Sequence, residues 1–316
     1  MRQHHDATLS DRSAARRAAA KHSRRDWLGT VTAGAVAAGA MAAGAAAGSL
    51  FTGASLAAES APYAPKGRIK QSICRWCYGR MSLEELAKTA AEIGYKSIEL
   101  IGPGDWPVVK KYGLTCAMTT GTGPIGSCIN DKKNHPRCIG ELKKNIPVAA
   151  EAGLPNVIVM SGNRAGIPDD VAIENCVAAI KEVVGLAEEK KVTMCMELLN
   201  SKVDHKDYQC DHTAWGVEVA KRVSSPRFKL LYDIYHMQIM EGDLIRTIRS
   251  NIQYIGHFHT GGNPGRNEID ETQEICYPPV MKAIAESGFV GYVGQEFIPK
   301  RDPVESMKQA FRICDV

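Results

Sequence analysis

Side chains that could bind a metal ion recur at regular intervals in the C-terminal half of the chain. Each of four such residues closes a short apolar run with the length of a β-strand. They are Glu197, Asp233, His259 and Glu296, at the ends of runs 192–197, 228–233, 254–259 and 292–296. Four strand ends can converge only if the strands are parallel and neighbouring, as at the C-terminal mouth of a barrel. The spacing therefore predicts a divalent-metal site at that mouth.

The four side chains form a mostly hard donor set, with carboxylate oxygens and one imidazole nitrogen. Such a set suits Mn²⁺ or Mg²⁺, with Co²⁺ and Zn²⁺ as further candidates. Any one of these residues could instead be a solvated or salt-bridged charge at the end of a strand. All four together favour a shared ion, because unrelated surface charges have no reason to follow the rhythm of the strands.

Other polar residues follow the same strand ends and are candidates for substrate contact. For His236 we favour substrate contact over an ordinary loop histidine. Arg266 lies in a glycine-containing loop and could bring positive charge to an anionic group, the alternative being a plain surface arginine. Asn200 either holds a loop turn or contacts substrate. Glu99, near the end of the predicted strand 97–101, is a further candidate for pocket contact.

Strand-like and helix-like periods alternate through residues 69–316 and make eight strand–helix units. A chain segment of about 250 residues with this rhythm predicts one α/β domain, a (β/α)8 TIM barrel. The alternative fold is a doubly wound open sheet. It would typically have a glycine-rich phosphate-binding turn after the first strand, and the sequence has none there. The predicted strands are 69–74, 97–101, 114–119, 156–160, 192–197, 228–233, 254–259 and 292–296. The predicted helices are 82–93, 105–112, 136–152, 169–190, 212–223, 242–251, 278–287 and 303–313.

The first 58 residues have the pattern of a bacterial twin-arginine export signal. Arg24 and Arg25 precede an uncharged Ala/Gly-rich run, 29–58, which ends in small residues that suit a signal peptidase. The pattern predicts an exported protein of the periplasm or cell envelope, which would engage the twin-arginine export machinery. The alternative is an uncleaved membrane anchor, since the run is long enough to span a bilayer. Residues 59–68 then form a short linker to the barrel domain, 69–316.

The excess of basic residues belongs to that signal. Of the 39 Lys/Arg and 35 Asp/Glu residues, seven and three lie in residues 1–58, which leaves 32 of each. A domain without net charge has no basic field to attract nucleic acid, so a nucleic-acid partner is not expected. The sequence has ten cysteines, and the lone Cys74-x-x-Cys77 pair lacks the second ligand pair of a zinc site. No disulfide pairing can be assigned from the spacing, and a homo-oligomer is left open.

Three stretches resemble the hydroxypyruvate isomerase family of xylose-isomerase-like barrels. They are Leu-Tyr-Asp-Ile-Tyr-His-Met-Gln with Glu-Gly-Asp-Leu at 231–244, Pro-Gly-Arg-Asn-Glu at 264–268, and the run 288–296. The resemblance is strong over 192–299 and diffuse over 69–191. It implies a metal site at Glu197, Asp233, His259 and Glu296, and implies that the two glutamates also act as acid and base.

One ligand departs from that family. Hydroxypyruvate isomerases often carry Gln where this chain has His259, whereas ketose 3-epimerases of the same superfamily carry His. The glycine-rich loop 120–134 also differs from the usual isomerase segment. The expected activity is therefore aldose–ketose isomerisation or 3-epimerisation of a small sugar or hydroxy-keto acid, through an enediolate.

Three other activities are weighed against this expectation. A lyase or dehydratase acting on a modified sugar would use the same enediolate and expel a leaving group. A DNA-repair endonuclease of the superfamily would need further metal-binding histidines and a basic face, which the neutral domain lacks. A sugar-binding protein without catalysis would have no use for the pair of glutamates.

Overall fold

In the described part of the chain, seven short parallel strands form the sheet, and nearly every residue in them is buried. Burial on both faces explains why they appear in the sequence as continuous apolar runs. The computed structural model describes residues 63–316; the predicted export signal and residues 59–62 lie outside the described residues. The strands are β1 (Lys70–Cys74), β2 (Ser97–Glu99), β3 (Asn156–Val159), β4 (Thr193–Glu197), β5 (Phe228–Asp233), β6 (Ile255–Thr260) and β7 (Tyr292–Gln295).

Helices connect the strands and begin and end at residues that suit these positions. Ser82 caps the first helix by accepting a hydrogen bond from the backbone of Glu85, and Gly94 ends it at a φ of 118°. Among residues 63–316, no helix has both the length and the apolar character that crossing a bilayer requires. The helices are α1 (Leu83–Ile93), α2 (Trp106–Lys111), α3 (His135–Glu151), α4 (Asp169–Lys181), α5 (Val184–Lys190), α6 (Thr213–Val223), α7 (Ile234–Met240), α8 (Leu244–Asn251), α9 (Tyr277–Glu286) and α10 (Pro303–Cys314).

The sheet closes into a barrel through residues 114–119. The strand order is β2-β1-β7-β6-β5-β4-β3, so β2 and β3 are the two edges. Thr115 forms a parallel bridge with Ser97 of β2, and Thr119 forms one with Val157 of β3. Residues 114–119 therefore take the eighth position around the barrel, and the prediction of a (β/α)8 TIM barrel is confirmed.

The segment predicted as the third strand is less regular than expected. Side chains replace part of its backbone ladder, because Ser97 Oγ accepts from Ala117 N and Asn156 Nδ2 donates to Ala117 O. The backbone groups of Ala117 are thus satisfied without a regular strand. The segment makes two isolated bridges where a continuous strand was predicted.

Two helices differ from the prediction. The single helix predicted at 169–190 is divided into α4 and α5, and Val183, with a φ of −126°, lies at the break. Helix α7 was not predicted and follows β5 without a loop. Asp233 caps it, since its Oδ1 accepts from the backbone of His236. A carboxylate at this position satisfies a free N–H group of the first turn.

Candidate functional site

The four predicted ligands lie at the carboxyl ends of neighbouring strands. Glu197 and Asp233 end β4 and β5, His259 is the penultimate residue of β6, and Glu296 directly follows β7. These four strands are adjacent in the sheet, and Asp233 pairs with His259 in register. One donor atom from each of the four residues lies within 4.8 Å of the others. All four side chains are buried, so the parallel strands bring the predicted set together at one mouth of the barrel.

The imidazole of His259 lies between acidic groups on both of its nitrogens. Nε2 is 2.7 Å from Glu99 Oε1. Nδ1 is 2.7 Å from Glu296 Oε2 and 3.3 Å from Glu197 Oε1, yet it has no partner in hydrogen-bond geometry among the described residues. The arrangement fits a ring whose Nε2–H donates to Glu99 and whose Nδ1 lone pair faces the carboxylates. Histidines that bind a metal have this form, with a carboxylate behind the ring.

The charges of the cluster are poorly balanced by the protein itself. Burial raises the pKa of Asp233 to about 8, while Arg266 opposes the rise and Glu296 adds to it. Burial would also raise the pKa of Glu296, but Arg266 and His259 hold it well below its usual value. Burial disfavours a charge on His259, yet Glu296 and Cys74 raise the pKa of its imidazole well above the usual value.

These opposed shifts show buried carboxylates competing for few positive charges. A divalent cation would relieve this competition, and it would compete with a proton for Nδ1 of His259. Both the donor set and the surplus negative charge therefore fit a metal ion held by the four predicted ligands.

Arg266 brings a positive charge beside these carboxylates. Its Nη2 lies 2.6 Å from Glu296 Oε2 and 3.3 Å from Asp233 Oδ2. Its guanidinium carbon lies 5.2 Å from the ring centre of Trp76 and 5.5 Å from that of Tyr235. The side chain is largely buried, so Arg266 is not the plain surface arginine of the alternative interpretation. Among the described residues Nη1 has no acceptor and could donate to a substrate oxygen.

His236 lies in the first turn of α7 with its ring fully buried. Asn200 Nδ2 donates to Nδ1 of His236 at 2.6 Å, which assigns the proton of a neutral ring to Nε2. Nε2 has no hydrogen-bond partner among the described residues and lies 3.6 Å from Asp233 Oδ2. Burial and the charge of Arg266 lower the pKa of His236 well below its usual value. The structure thus places a neutral N–H donor beside the candidate metal site.

Asn200 holds a loop turn, one of the two roles that the sequence leaves open. Its Oδ1 accepts from the backbone of Val203 and of Asp204, and its Nδ2 also donates to the Asp204 carboxylate. The side chain is fully buried and its hydrogen-bonding capacity is used within the protein. Asn200 therefore orients His236, and its predicted contact with substrate stays a prediction.

Glu99 lies behind the ring of a candidate ligand. It is fully buried behind His259, and its Oε1 accepts from Nε2 of both His259 and His257, at 2.7 and 2.9 Å. Burial would raise the pKa of Glu99, but the two imidazoles hold it well below its usual value. The sequence places Glu99 correctly at a strand end, but its side chain lies beneath the ring of His259. Glu99 thus supports a candidate ligand, and its predicted contact with the substrate pocket stays a prediction.

Two residues of the stretch 74–77 contact the site, although the sequence does not predict it. Cys74 Sγ lies 3.7 Å from Nε2 of His259, and burial raises the pKa of the thiol well above its usual value. Trp76 Nε1 donates to Glu296 Oε1 at 2.8 Å. The pattern Cys-Arg-Trp-Cys predicts neither contact, but it lies at the carboxyl end of β1, the position of barrel-mouth residues.

The opposite end of the barrel has a different character. A cavity of about 700 Å³ opens there, bordered by Lys70, Lys229, Phe289 and Tyr292. None of the described residues that line it is acidic or a histidine. The groups suited to acid–base and metal chemistry thus lie at the carboxyl ends of the strands, as in other barrel enzymes.

Comparisons with known proteins agree with this architecture. A hydroxypyruvate isomerase from Escherichia coli (strain K12) is 29% identical over 225 residues, which are 67% of this chain and 86% of that protein. A 2-oxo-tetronate isomerase from Cupriavidus necator is 29% identical over 165 residues, which are 51% of this chain and 62% of that protein. The relatives from human and mouse are also matched over 62% of their own length.

A solved structure and a family model extend the likeness to the fold. The crystal structure of an AP endonuclease, family 2, from Brucella melitensis superposes with a TM-score of 0.66 at 22% identity, and covers 76% of this chain and 97% of that chain. At 22% identity, this superposition shows that the two chains share a fold and carries no conclusion about activity. Residues 87–314 match the family model described as Xylose isomerase-like TIM barrel, so the resemblance seen in the sequence is confirmed. The chain belongs to the xylose isomerase-like TIM barrel family.

Proposed function

We propose that this protein is a metal-dependent isomerase or epimerase of a small sugar or a hydroxy-keto acid. The observation that carries the proposal is the convergence of two glutamates, an aspartate and a histidine within 4.8 Å at the barrel mouth. The named activity of the Escherichia coli relative, matched over 86% of its length, supports the reaction class. A binding protein without catalysis would have no need for the two glutamates.

Glu197, Asp233, His259 and Glu296 would hold the ion. Hard oxygen donors with one imidazole favour Mn²⁺ or Mg²⁺. When bound, such an ion supplies Lewis acidity that stabilises negative charge on the substrate oxygens.

The two glutamates would move the proton. The carbon beside a carbonyl is only weakly acidic, so a carboxylate must remove its proton and another group must return it to the enediolate. Glu197 ends β4 and Glu296 follows β7, with β5 and β6 between them, so they approach a central substrate from different sides. Because its pKa is held low, Glu296 is ionised at neutral pH, as a base must be.

Neutral and positive donors would hold the substrate oxygens. The Nε2–H of His236 has no partner among the described residues and lies beside Asp233. Nη1 of Arg266 is likewise available, and a guanidinium suits a carboxylate or an oxyanion. Water is restricted because all four predicted ligands are buried.

His259 bears on the choice between isomerase and epimerase. The sequence resemblance associates a histidine at this ligand position with ketose 3-epimerases, whereas hydroxypyruvate isomerases often have glutamine. Both reactions begin with the same proton removal and differ in where the proton returns. Analysis of products from ketoses and from hydroxypyruvate, each in the presence of Mn²⁺, distinguishes the two.

The substitution Glu296→Gln tests the acid–base assignment. It keeps an oxygen donor of the same size but cannot accept a proton, so we expect kcat to fall by at least about a hundredfold. The measurement is loss of deuterium label from the carbon next to the substrate carbonyl, with Mn²⁺ present and circular dichroism as a check of the fold.

Glu286→Gln is the matched control, because Glu286 pairs with Arg249 at the surface, away from the site. It should retain wild-type turnover. A Glu296→Gln protein with near wild-type kcat would refute the role of Glu296.

A further inference from the structure

Trp76 binds one oxygen of Glu296 from the opposite end of the chain. Its indole Nε1 donates to Oε1 at 2.8 Å, across 220 residues of sequence. The residue lies in the 3-10 turn Arg75–Tyr78, which directly follows β1. An indole N–H can only donate, so this contact favours the ionised carboxylate.

Arg266 binds the other oxygen of the same carboxylate. Its Nη2 lies 2.6 Å from Oε2, on the side that faces His259 and Asp233. The guanidinium also stacks on the ring of Trp76, at 5.2 Å. Glu296 is therefore restrained at both oxygens by two donors that contact each other, and cation–π contact strengthens that pair.

The other glutamate of the site has no equivalent restraint. Within the described residues, the Glu197 carboxylate lies 3.3 Å from Nδ1 of His259. No indole, amide or guanidinium donor reaches it in that part of the chain. The two glutamates thus differ in how firmly each is oriented.

The exposure of Trp76 argues against an ordinary packing role. The residue is 45% exposed, although most of β1 and its neighbours Cys77 and Tyr78 in the same turn are buried. A tryptophan that serves the core would be buried, because burial of its apolar area is what stabilises the fold. The polar contact of Trp76 is its hydrogen bond to the Glu296 carboxylate at the mouth of the barrel.

We propose that Trp76 is a positioning residue that holds Glu296 in the orientation from which it exchanges a proton with the substrate. The hydrogen bond to Oε1 fixes the rotation of the carboxylate, while Oε2 remains directed at the other predicted ligands. Small errors in the position of a reacting group are costly, so an oriented carboxylate reacts faster than a free one. This role rests on the proposed proton transfer by Glu296.

The substitution Trp76→Phe tests the role, because it keeps the aromatic face and removes the N–H group. We expect kcat to fall about tenfold to a hundredfold, as for loss of a hydrogen bond to a charged group, with KM changed by less than about threefold. Trp215→Phe is the matched control, since it removes an indole N–H that donates to the backbone of Asp169, away from the site. That control should keep wild-type kcat, and an unchanged kcat in Trp76→Phe overturns the inference.

A double-mutant cycle separates this inference from the proposed function. Melting temperatures of the metal-free wild type, Trp76→Phe, Glu296→Gln and the double variant should show a coupling of about 2 °C if the two side chains interact. Additive shifts overturn the inference whether or not the enzyme turns over. A coupled cycle in a wild-type protein that exchanges no substrate proton overturns the proposed function and supports the contact.

Discussion

At the scale of single residues, the site depends on a carboxylate that does not face it. Glu99 is fully buried between two imidazoles, and its charge is balanced by hydrogen bonds from His257 and His259. A carboxylate behind a histidine ligand fixes the ring orientation and raises its basicity. The negative charge of Glu99 thus acts on the candidate metal site through the imidazole ring of His259.

The substitution Glu99→Gln should weaken the site without removing a ligand. An amide carries no charge to balance the imidazoles, so we expect the affinity for Mn²⁺ to fall by about tenfold to a hundredfold. Isothermal titration calorimetry measures the affinity, and thermal unfolding shows whether the variant is folded. Glu84→Gln, at an exposed carboxylate that accepts from Tyr112, should bind Mn²⁺ as the wild type does. Unchanged affinity with a raised KM would favour the substrate contact that the sequence suggests.

At the scale of elements, the least regular position of the described barrel is the segment 114–119. It joins β2 and β3 by two isolated bridges, and the chain then turns at Gly121 against the backbone of β3. A Cβ atom at Gly121 would collide with the backbone oxygen of Ile158. Glycine is required here by close approach of two backbones, which leaves no space for a side chain.

The substitution Gly121→Ala should therefore destabilise the protein, by about 1 to 3 kcal/mol. The opposing atom belongs to the backbone and cannot move aside as a flexible side chain would. Gly140 is the matched control, because it is exposed on α3 and a Cβ atom added there would meet none of the described atoms within 4 Å. Gly140→Ala should stabilise by up to about 1 kcal/mol through helix propensity. Urea denaturation measures both, and equal stability of the two variants would contradict the close approach.

At the scale of the whole molecule, the site depends on the pairing of β1, the first strand, with β7, the last strand of the described residues. Trp76 lies just beyond β1, Glu99 ends β2 and Glu296 follows β7, and β1 pairs with both β2 and β7. The described part of the predicted linker also joins the two ends of the domain. Tyr63 Oη and the backbone of Gly67 donate to Asp315, near the C-terminus. The two ends of the domain are thus held together beside the strands that carry the site.

Metal binding should be visible in the stability of the whole domain. An ion that binds only the folded protein stabilises it by about 2.7 kcal/mol at a hundred times its Kd. For a domain of this size, we expect Mn²⁺ to raise Tm by about 5 to 10 °C and EDTA to reverse the rise. Differential scanning calorimetry measures the shift. The Asp233→Asn variant should lose most of this rise in Tm. A wild-type Tm that does not change with millimolar Mn²⁺ would contradict the metal site.

The sequence by itself predicted the barrel and the four converging strand ends. Both follow from local patterns, since strand and helix periods and the residue that closes each strand can be read over a few positions. The parallel order of β4 to β7 then brings Glu197, Asp233, His259 and Glu296 together without any further information. The export signal also comes from a local pattern and stays a prediction.

The tertiary structure alone decided which side chains face one another inside the mouth. Glu99 supports His259 across 160 residues, and Trp76 binds Glu296 across 220. Such contacts depend on the angle at which each strand enters the barrel and on the rotamer that packing leaves free, and no pattern within one segment encodes either. For the same reason, residues 114–119 read as a strand in the sequence, although side chains of β2 and β3 satisfy part of their backbone.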